Sequence, residues 1–331
     1  MATESHADAP AYAITVDGRD ISRTVQARLI DLQLDEGRGD EADQLSLTLD
    51  DSDGRLALPP RGARITLQLG WMGEPLVDKG EFEVDEVEHA GAPDQVRITA
   101  RAAEMRGPIR RRKEHSWHDT TLGAVAADVA ARNRLQLRID PALAGVRVPH
   151  LDQTNESDLH LITRLARQHD ATATVKKGRL IVLPIGGATT AAGAPLPQVE
   201  IVRRSGDQHR WHTAERDSYT GVRATWHDAR TGRKRDVVDG GGDNTKRLKD
   251  TYASEADALA AAKAERGRIE RGKASFEITL AYGRADLMPQ AQVRVQGFKP
   301  QIDGQAWRIV KVGHSVGDGG FTTRVEMERA V

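Results

Sequence analysis

Across residues 11–100 apolar and polar side chains alternate in short runs. The clearest is Q-L-S-L-T-L (residues 44–49), with Leu45, Leu47 and Leu49 on one face and Ser46 and Thr48 on the other. The same pattern recurs in A-Y-A-I-T-V (11–16), R-L-I-D-L-Q-L (28–34), R-I-T-L-Q-L (64–69), E-F-E-V-D-E-V (81–87) and Q-V-R-I-T-A (95–100). A period of two is that of a strand with one buried face. Asp17-Gly18 supplies a hairpin turn, and residues 50–54 supply turn chemistry. Strands at this spacing predict an antiparallel barrel or sandwich.

The period then changes. W-H-D-T-T-L (117–122) opens a predicted helix to Arg132, with Leu122, Val125, Ala126 and Val129 at three- and four-residue spacing. A short strand is expected at 135–139. The stretch T-N-E-S-D-L-H-L-I-T-R-L-A-R-Q-H-D-A (154–171) predicts a second helix, capped by Asn155 or Ser157, with Glu156 and Asp158 near its positive end. Leu159, Ile162 and Ala166 form its apolar stripe, widened by Leu161 and Leu165, and His160, Arg164 and Arg167 fall outside it. A hairpin follows: A-T-V (173–175), Lys177-Gly178, R-L-I-V-L (179–183).

Residues 186–197, rich in Gly, Ala, Thr and Pro, read as a linker. Strands return at 221–226, 276–280, 292–296, 307–312 and 322–327, and Ser254-Glu255-Ala256-Asp257 starts an Ala-rich helix to Arg271. D-G-G-G-D-N (239–244) is expected to be a loop. The order predicts an α+β chain, mainly β. Two antiparallel β-barrel-like domains (residues 1–112 and 198–331, the second with a helix at 254–271) flank an α/β insert (113–185) and the linker.

Composition narrows the function. Of 331 residues, 48 are basic and 49 acidic, for a net charge of −1, which argues against a dedicated nucleic-acid binder. Aromatics are only 4%, so the cores must be built from Val, Ile, Leu and Ala. There is no cysteine, hence no disulfide or Cys-based zinc site. Residues 1–10 carry no apolar run and nowhere are 18 apolar residues consecutive, so neither a secretory signal nor a membrane partner is expected. Nucleotide cradles, a hydrolase elbow and H-E-x-x-H are all missing, so no cofactor and no metal are expected.

His209, His212 and His227 are the nearest approach to a metal cluster. On a strand, however, residues three apart face opposite ways, and ordinary surface histidines explain them. Glu81, Glu83, Asp85 and Glu86, with Asp50, Asp51 and Asp53, could supply a glycosidase pair, but solvated strand faces and Asp-rich turns account for them. The dense basic run Arg110, Arg111, Arg112 and Lys113 lacks interleaved aromatics apart from Trp117. It reads as a protein contact or a charged strand edge rather than a nucleic-acid grip. With the loop glycines Gly240, Gly241 and Gly242, it forms the candidate partner interface.

Three segments carry a resemblance. N-E-S-D-L-H-L-I-T-R-L-A-R-Q-H-D-A (155–171) is similar to a helix shared by the late control D proteins of contractile-tailed phages and type VI secretion spike proteins. The family carries Gly where this chain has Asp170. R-R-R-K-E-H-S-W-H-D-T-T-L-G-A-V-A-A-D-V-A-A-R-N-R-L (110–135) resembles the family's basic strand and following helix. V-R-V-Q-G-F-K-P (293–300) and W-R-I-V-K-V-G-H-S-V-G-D-G-G-F-T-T-R-V-E-M-E (307–328) resemble its C-terminal strands.

The resemblance implies a non-enzymatic baseplate hub: a homotrimeric ring in which each subunit supplies two related barrels. Such a ring offers a pseudo-sixfold surface to the hexameric tail tube protein and a threefold one to the tail spike protein, with the tape measure protein as a further partner. It would sit in the baseplate of a virion or tailocin particle and assemble in the bacterial host cytoplasm. Since the chain ends at Val331, the spike is expected to be a separate chain. The alternative is a cell-wall hydrolase at the tail tip.

Overall fold

The alternating segments fold as strands. In the computed structural model, which describes residues 9–39, 42–103, 107–187, 196–213, 219–241 and 244–331, β1 (Pro10–Val16) turns through Asp17 and Gly18 into β2 (Arg19–Asp20). Both turn residues are left-handed (φ 48° and 78°), as the hairpin turn requires. There follow α1 (Ser22–Gln26), β3 (Leu29–Gly37), β4 (Gln44–Asp50), β5 (Arg64–Trp71), β6 (Val77–Ala90) and β7 (Gln95–Ala102). Their inward residues, among them Leu32, Leu34, Leu45, Leu47, Ile65, Leu67, Phe82 and Ile98, make the first core. Each such side chain contributes about 1.5–3 kcal/mol when fully buried.

Next come β8 (Arg112–Thr121), α2 (Leu122–Arg132), β9 (Gln136–Ile139), α3 (Pro141–Ala144), β10 (Arg147–Ser157), α4 (Asp158–Gln168), β11 (Ala171–Lys176) and β12 (Arg179–Pro184). The expectation that Trp117 opens a helix is corrected: residues 117–121 belong to β8, where Trp117 lies opposite Leu151 of β10. The helix starts only at Leu122, and the Thr121 hydroxyl caps it by accepting from the Ala124 N–H at 3.2 Å. In α4 the whole apolar stripe is buried, and it forms a second core with α2, β11 and β12.

The C-terminal part contains β13 (Gln198–Val202), β14 (Gly206–Thr213), β15 (Gly221–Asp228), β16 (Arg233–Gly240), β17 (Thr245–Tyr252), α5 (Glu255–Gly272), β18 (Ala274–Leu280), β19 (Gln292–Gln296), α6 (Pro300–Asp303), β20 (Ala306–Gly317) and β21 (Gly320–Arg329). The capping residue of α5 is Ser254, as expected, with Asp257 N–H donating to its hydroxyl at 3.2 Å. The loop expected at 239–244 begins later, because β16 pairs with β15 as far as Gly240 opposite Gly221. Most of the linker expected at 186–197, residues 188–195, lies outside the described residues.

One sheet of 13 strands runs through both β regions in the order β14-β18-β21-β20-β3-β4-β7-β6-β5-β1-β2, with β19 and β13 continuing from β20. The junction is β20, whose residues 311–317 pair with residues 31–37 of β3. The described strands thus form an open, continuous order. C-terminal residues complete the first core: Ala285, Val316 and Phe321 pack into it, and the Trp71 indole N–H donates to Gly283 O at 2.8 Å. A Cβ on Gly283 would overlap the Phe321 ring, so only glycine fits there.

Candidate interaction surfaces

The basic run does not act as a unit. Arg110 and Arg111, just before β8, and Arg112, its first residue, are exposed, but Lys113 is half-buried and turned inward. Its Nζ lies 2.6 Å from Asp158 Oδ2, and the Asp158 carboxylate is fully buried at the first position of α4. Asn133 and Gln153 amides donate to the same carboxylate at 2.7 and 3.0 Å, and Arg132 lies 3.3 Å away, stacked over Trp117. Burial pushes the Asp158 carboxyl up, but these donors outweigh it and hold it below the ordinary carboxylate range.

This accounts for the motif N-E-S-D. Ser157 caps the helix by accepting from the His160 N–H at 3.2 Å. Asp158 faces inward to join α4 to α2 and β8, while Glu156 turns outward to form a bidentate pair with Arg164 at 2.9 and 3.0 Å. Lys113 is therefore a structural partner of Asp158. Asn155, the other candidate cap, lies within β10.

The departure at Asp170 is also explained. The residue has φ 51°, the left-handed conformation that a helix exit uses and that glycine adopts without strain. Asp tolerates it better than most residues, and here its carboxylate accepts two bonds from the Arg271 guanidinium, at 2.5 and 2.8 Å. Arg271 is itself buried in α5. The substitution thereby ties the insert to the C-terminal helix.

The candidate glycines sit elsewhere, at the end of β16. Gly240 and Gly241 are exposed, and Gly241 N–H donates to Thr220 O at 3.3 Å. Gly240 has φ 85°, and a Cβ there would come within 2.6 Å of Thr220 O. Its glycine is required by local backbone packing. Gly242 lies outside the described residues.

A buried charge cluster was not anticipated from the sequence. Glu36 of β3 lies 2.6 Å from Lys79 of β6, 3.1 Å from Lys176 of β11 and 3.4 Å from His314 of β20. Lys176 also reaches Asp43 at 3.1 Å, and His314 Nδ1 shares a hydrogen bond with the Thr323 hydroxyl. Burial raises the Glu36 carboxyl, but His314 and the two ammonium groups more than offset this and leave it strongly depressed. Burial lowers the His314 imidazole, keeping it neutral near pH 7. The cluster clamps the N-terminal strands, the insert hairpin and the C-terminal strands together. Its only sequence signal is period two: Leu32, Leu34 and Glu36 share a face, as do Val312, His314 and Val316.

Four of the carboxylates weighed as a hydrolase pair are engaged with cations or backbone. Glu81 pairs with Arg64 at 2.9 Å, Asp85 with Arg101 at 3.1 Å, and Asp53 with Arg28 at 2.5 Å. Asp51 accepts from Leu56 N–H at 2.9 Å. His209 and His212 lie on strand β14 and His227 on β15 in a different sheet, and no metal-competent group of His, Asp and Glu occurs among the described residues.

An opening lies between the insert and the C-terminal helix. It has a volume of about 850 Å³ and is walled by β10 and α4 on one side and β17 and α5 on the other. Seven Lys and Arg residues and three carboxylates line it.

Residues 44–320 match the family described as phage tail baseplate hub (GPD). The chain is 42% identical to a protein of Escherichia phage 186 named as a probable baseplate hub protein, over 97% of this chain and 93% of that one. The protein of the same name from Escherichia phage P2 is also 42% identical, over 96% and 93%. Among solved structures, the 43 kDa tail protein of prophage MuSo2 from Shewanella oneidensis matches with a TM-score of 0.73 at 16% identity, covering 97% of this chain and 98% of that one. An E. coli type VI secretion component, described as structurally similar to the T4 tail proteins gp27 and gp5, matches with a TM-score of 0.57 at 11% identity, covering 95% and 76%. At these identities the structures speak for the fold alone.

Proposed function

This chain belongs to the phage tail baseplate hub family, and from that premise we propose that it is the ring-forming hub that joins a hexameric tail tube to a trimeric spike. Three copies, each supplying two related barrel-like β units (residues 1–112 and 198–331) around the 113–185 insert, would meet the tube with pseudo-sixfold symmetry and the spike with threefold symmetry. The observation that carries the reading is the 42% identity over 97% of the chain to a protein named as a probable baseplate hub protein. The tape measure protein is then a further neighbour, and the setting the tail baseplate of a virion or tailocin assembled in the host cytoplasm.

The hub works by contact and carries out no reaction. The buried cluster around Glu36 suits this role, since it fixes the two β units to one another and to the insert, as a load-transmitting adaptor needs. Affinity-tagged chain should retain both the tube and the spike proteins of the same particle; retention of neither would sink the reading. On a peptidoglycan zymogram it should leave the wall intact, and a cleared band would restore the hydrolase alternative.

A further inference from the structure

The opening between β10–α4 and β17–α5 departs from the charge balance of the chain. Overall the protein carries a net charge of −1, yet this groove presents seven cations against three carboxylates. Much of that excess is neutralised by neighbours: Lys246 and Arg268 both pair with Glu265, at 2.7 and 2.6 Å, Arg164 with Glu156 at 2.9 Å and Arg247 with Asp236 at 3.4 Å, and Arg167 is engaged as well. Two exposed cations on opposite walls, Arg147 of β10 and Lys249 of β17, have no ion-pair partner among the described residues. A surface that leaves cations unpaired across a concave site attracts negative charge, because low-dielectric walls focus the field.

The backbone gives a second, independent indication. Among the described strands, β10 pairs only with β8, and β17 only with β15, so each wall ends in a strand with one open edge. Unpaired strand edges are templates for an added extended chain. The volume of about 850 Å³ accommodates such a segment. Nucleic acid fits less well: Tyr252 is the single aromatic side chain of the lining apart from histidine, so stacking platforms for bases are lacking.

We infer that this groove is a docking site for an extended acidic segment of a partner polypeptide, held by Arg147 and Lys249 and by pairing along the β10 or β17 edge. The inference does not rest on the hub reading, since it concerns the surface of one chain and is tested on that chain alone.

The probe is a fluorescein-labelled peptide of twelve glutamates, titrated with the full-length protein and followed by fluorescence anisotropy at low and high salt. The expected result is saturable binding that weakens with salt and loses at least tenfold in affinity in the double variant Arg147→Glu/Lys249→Glu. Arg111→Glu/Arg112→Glu, on the exposed basic run leading into β8, should leave the affinity unchanged. Should the charge reversal disturb folding, Arg147→Gln and Lys249→Gln, each removing one exposed cation, are expected to weaken binding severalfold each.

Equal affinity of the wild type and the Arg147/Lys249 variants overturns the inference. So does tighter binding of a twelve-nucleotide oligo-dT, which would assign the groove to nucleic acid. Absence of peptide binding together with loss of self-association in the double variant would assign it to a second copy of this chain, and that too overturns it.

Discussion

Replacing Lys113 by Met removes the ammonium 2.6 Å from a fully buried Asp158 carboxylate while keeping most of the side-chain volume. Breaking one side of a buried pair typically costs about 3–5 kcal/mol, since the remaining charge is left desolvated. Here the Asn133 and Gln153 amides still donate, Arg132 lies 3.3 Å away, and the Lys113 side chain is 29% exposed. The expected cost is therefore lower, about 2–3 kcal/mol, and it falls on the joint between β8, α2 and α4. Hydrogen exchange of the α4 amides is the direct assay. With tenfold per 1.4 kcal/mol, their protection should fall by about 30- to 150-fold, while amides of β20 and β21 stay unchanged. The double variant Lys113→Met/Asp158→Asn, which removes the stranded charge, should recover at least half of the loss. A fall of less than about threefold, or a double variant no better than the single, would refute the assignment of Lys113 as a structural partner.

Other consequences follow from the same contacts. Acidification should lower stability in two stages. His314, depressed by burial, is stable as the neutral form above its ordinary value of 6.5, and that contribution is lost as pH falls below it. Glu36 and Asp158, depressed by their donors, contribute fully above the ordinary carboxylate values of 4.5 and 3.8 and lose it as pH drops further. Asp43, raised by burial, opposes them in part. Urea midpoints measured from pH 7 to pH 3 should decline throughout; a flat or rising series contradicts the clamp. Asp170→Gly relieves the left-handed strain but deprives buried Arg271 of its bidentate partner, for a net loss of about 2 kcal/mol in urea unfolding, and a gain in stability would show the pair to be dispensable. Ser157→Ala should cost about 1 kcal/mol through the lost cap on α4, read as faster exchange of its first-turn amides, and unchanged exchange there would count against Ser157 as the cap.

The apolar period made some elements legible and left others invisible. Helix α4 combines a clean stripe with a capping serine, and both features hold in the structure. By contrast β14, G-D-Q-H-R-W-H-T, has one large apolar residue, and its strand character comes from pairing with β18 rather than from its own pattern. The same is true of β16 and β17, whose exposed faces are mostly charged or polar. A run of four cations shows where positive charge is dense, but which of them turns inward depends on Asp158, 45 residues further on. The Glu36 cluster depends on tertiary structure in the same way: Lys176 is 140 residues from Glu36 in sequence, and only the sheet order brings them together. The acidic-segment groove is likewise assembled from strands distant in the chain.

The ring is the central claim, and its most direct test is the mass of the purified protein by light scattering, alone and mixed with the spike protein of the same particle. The account predicts three times the 36.2 kDa of one chain, rising by one spike trimer on mixing. A species that stays at 36.2 kDa with and without the spike would contradict it.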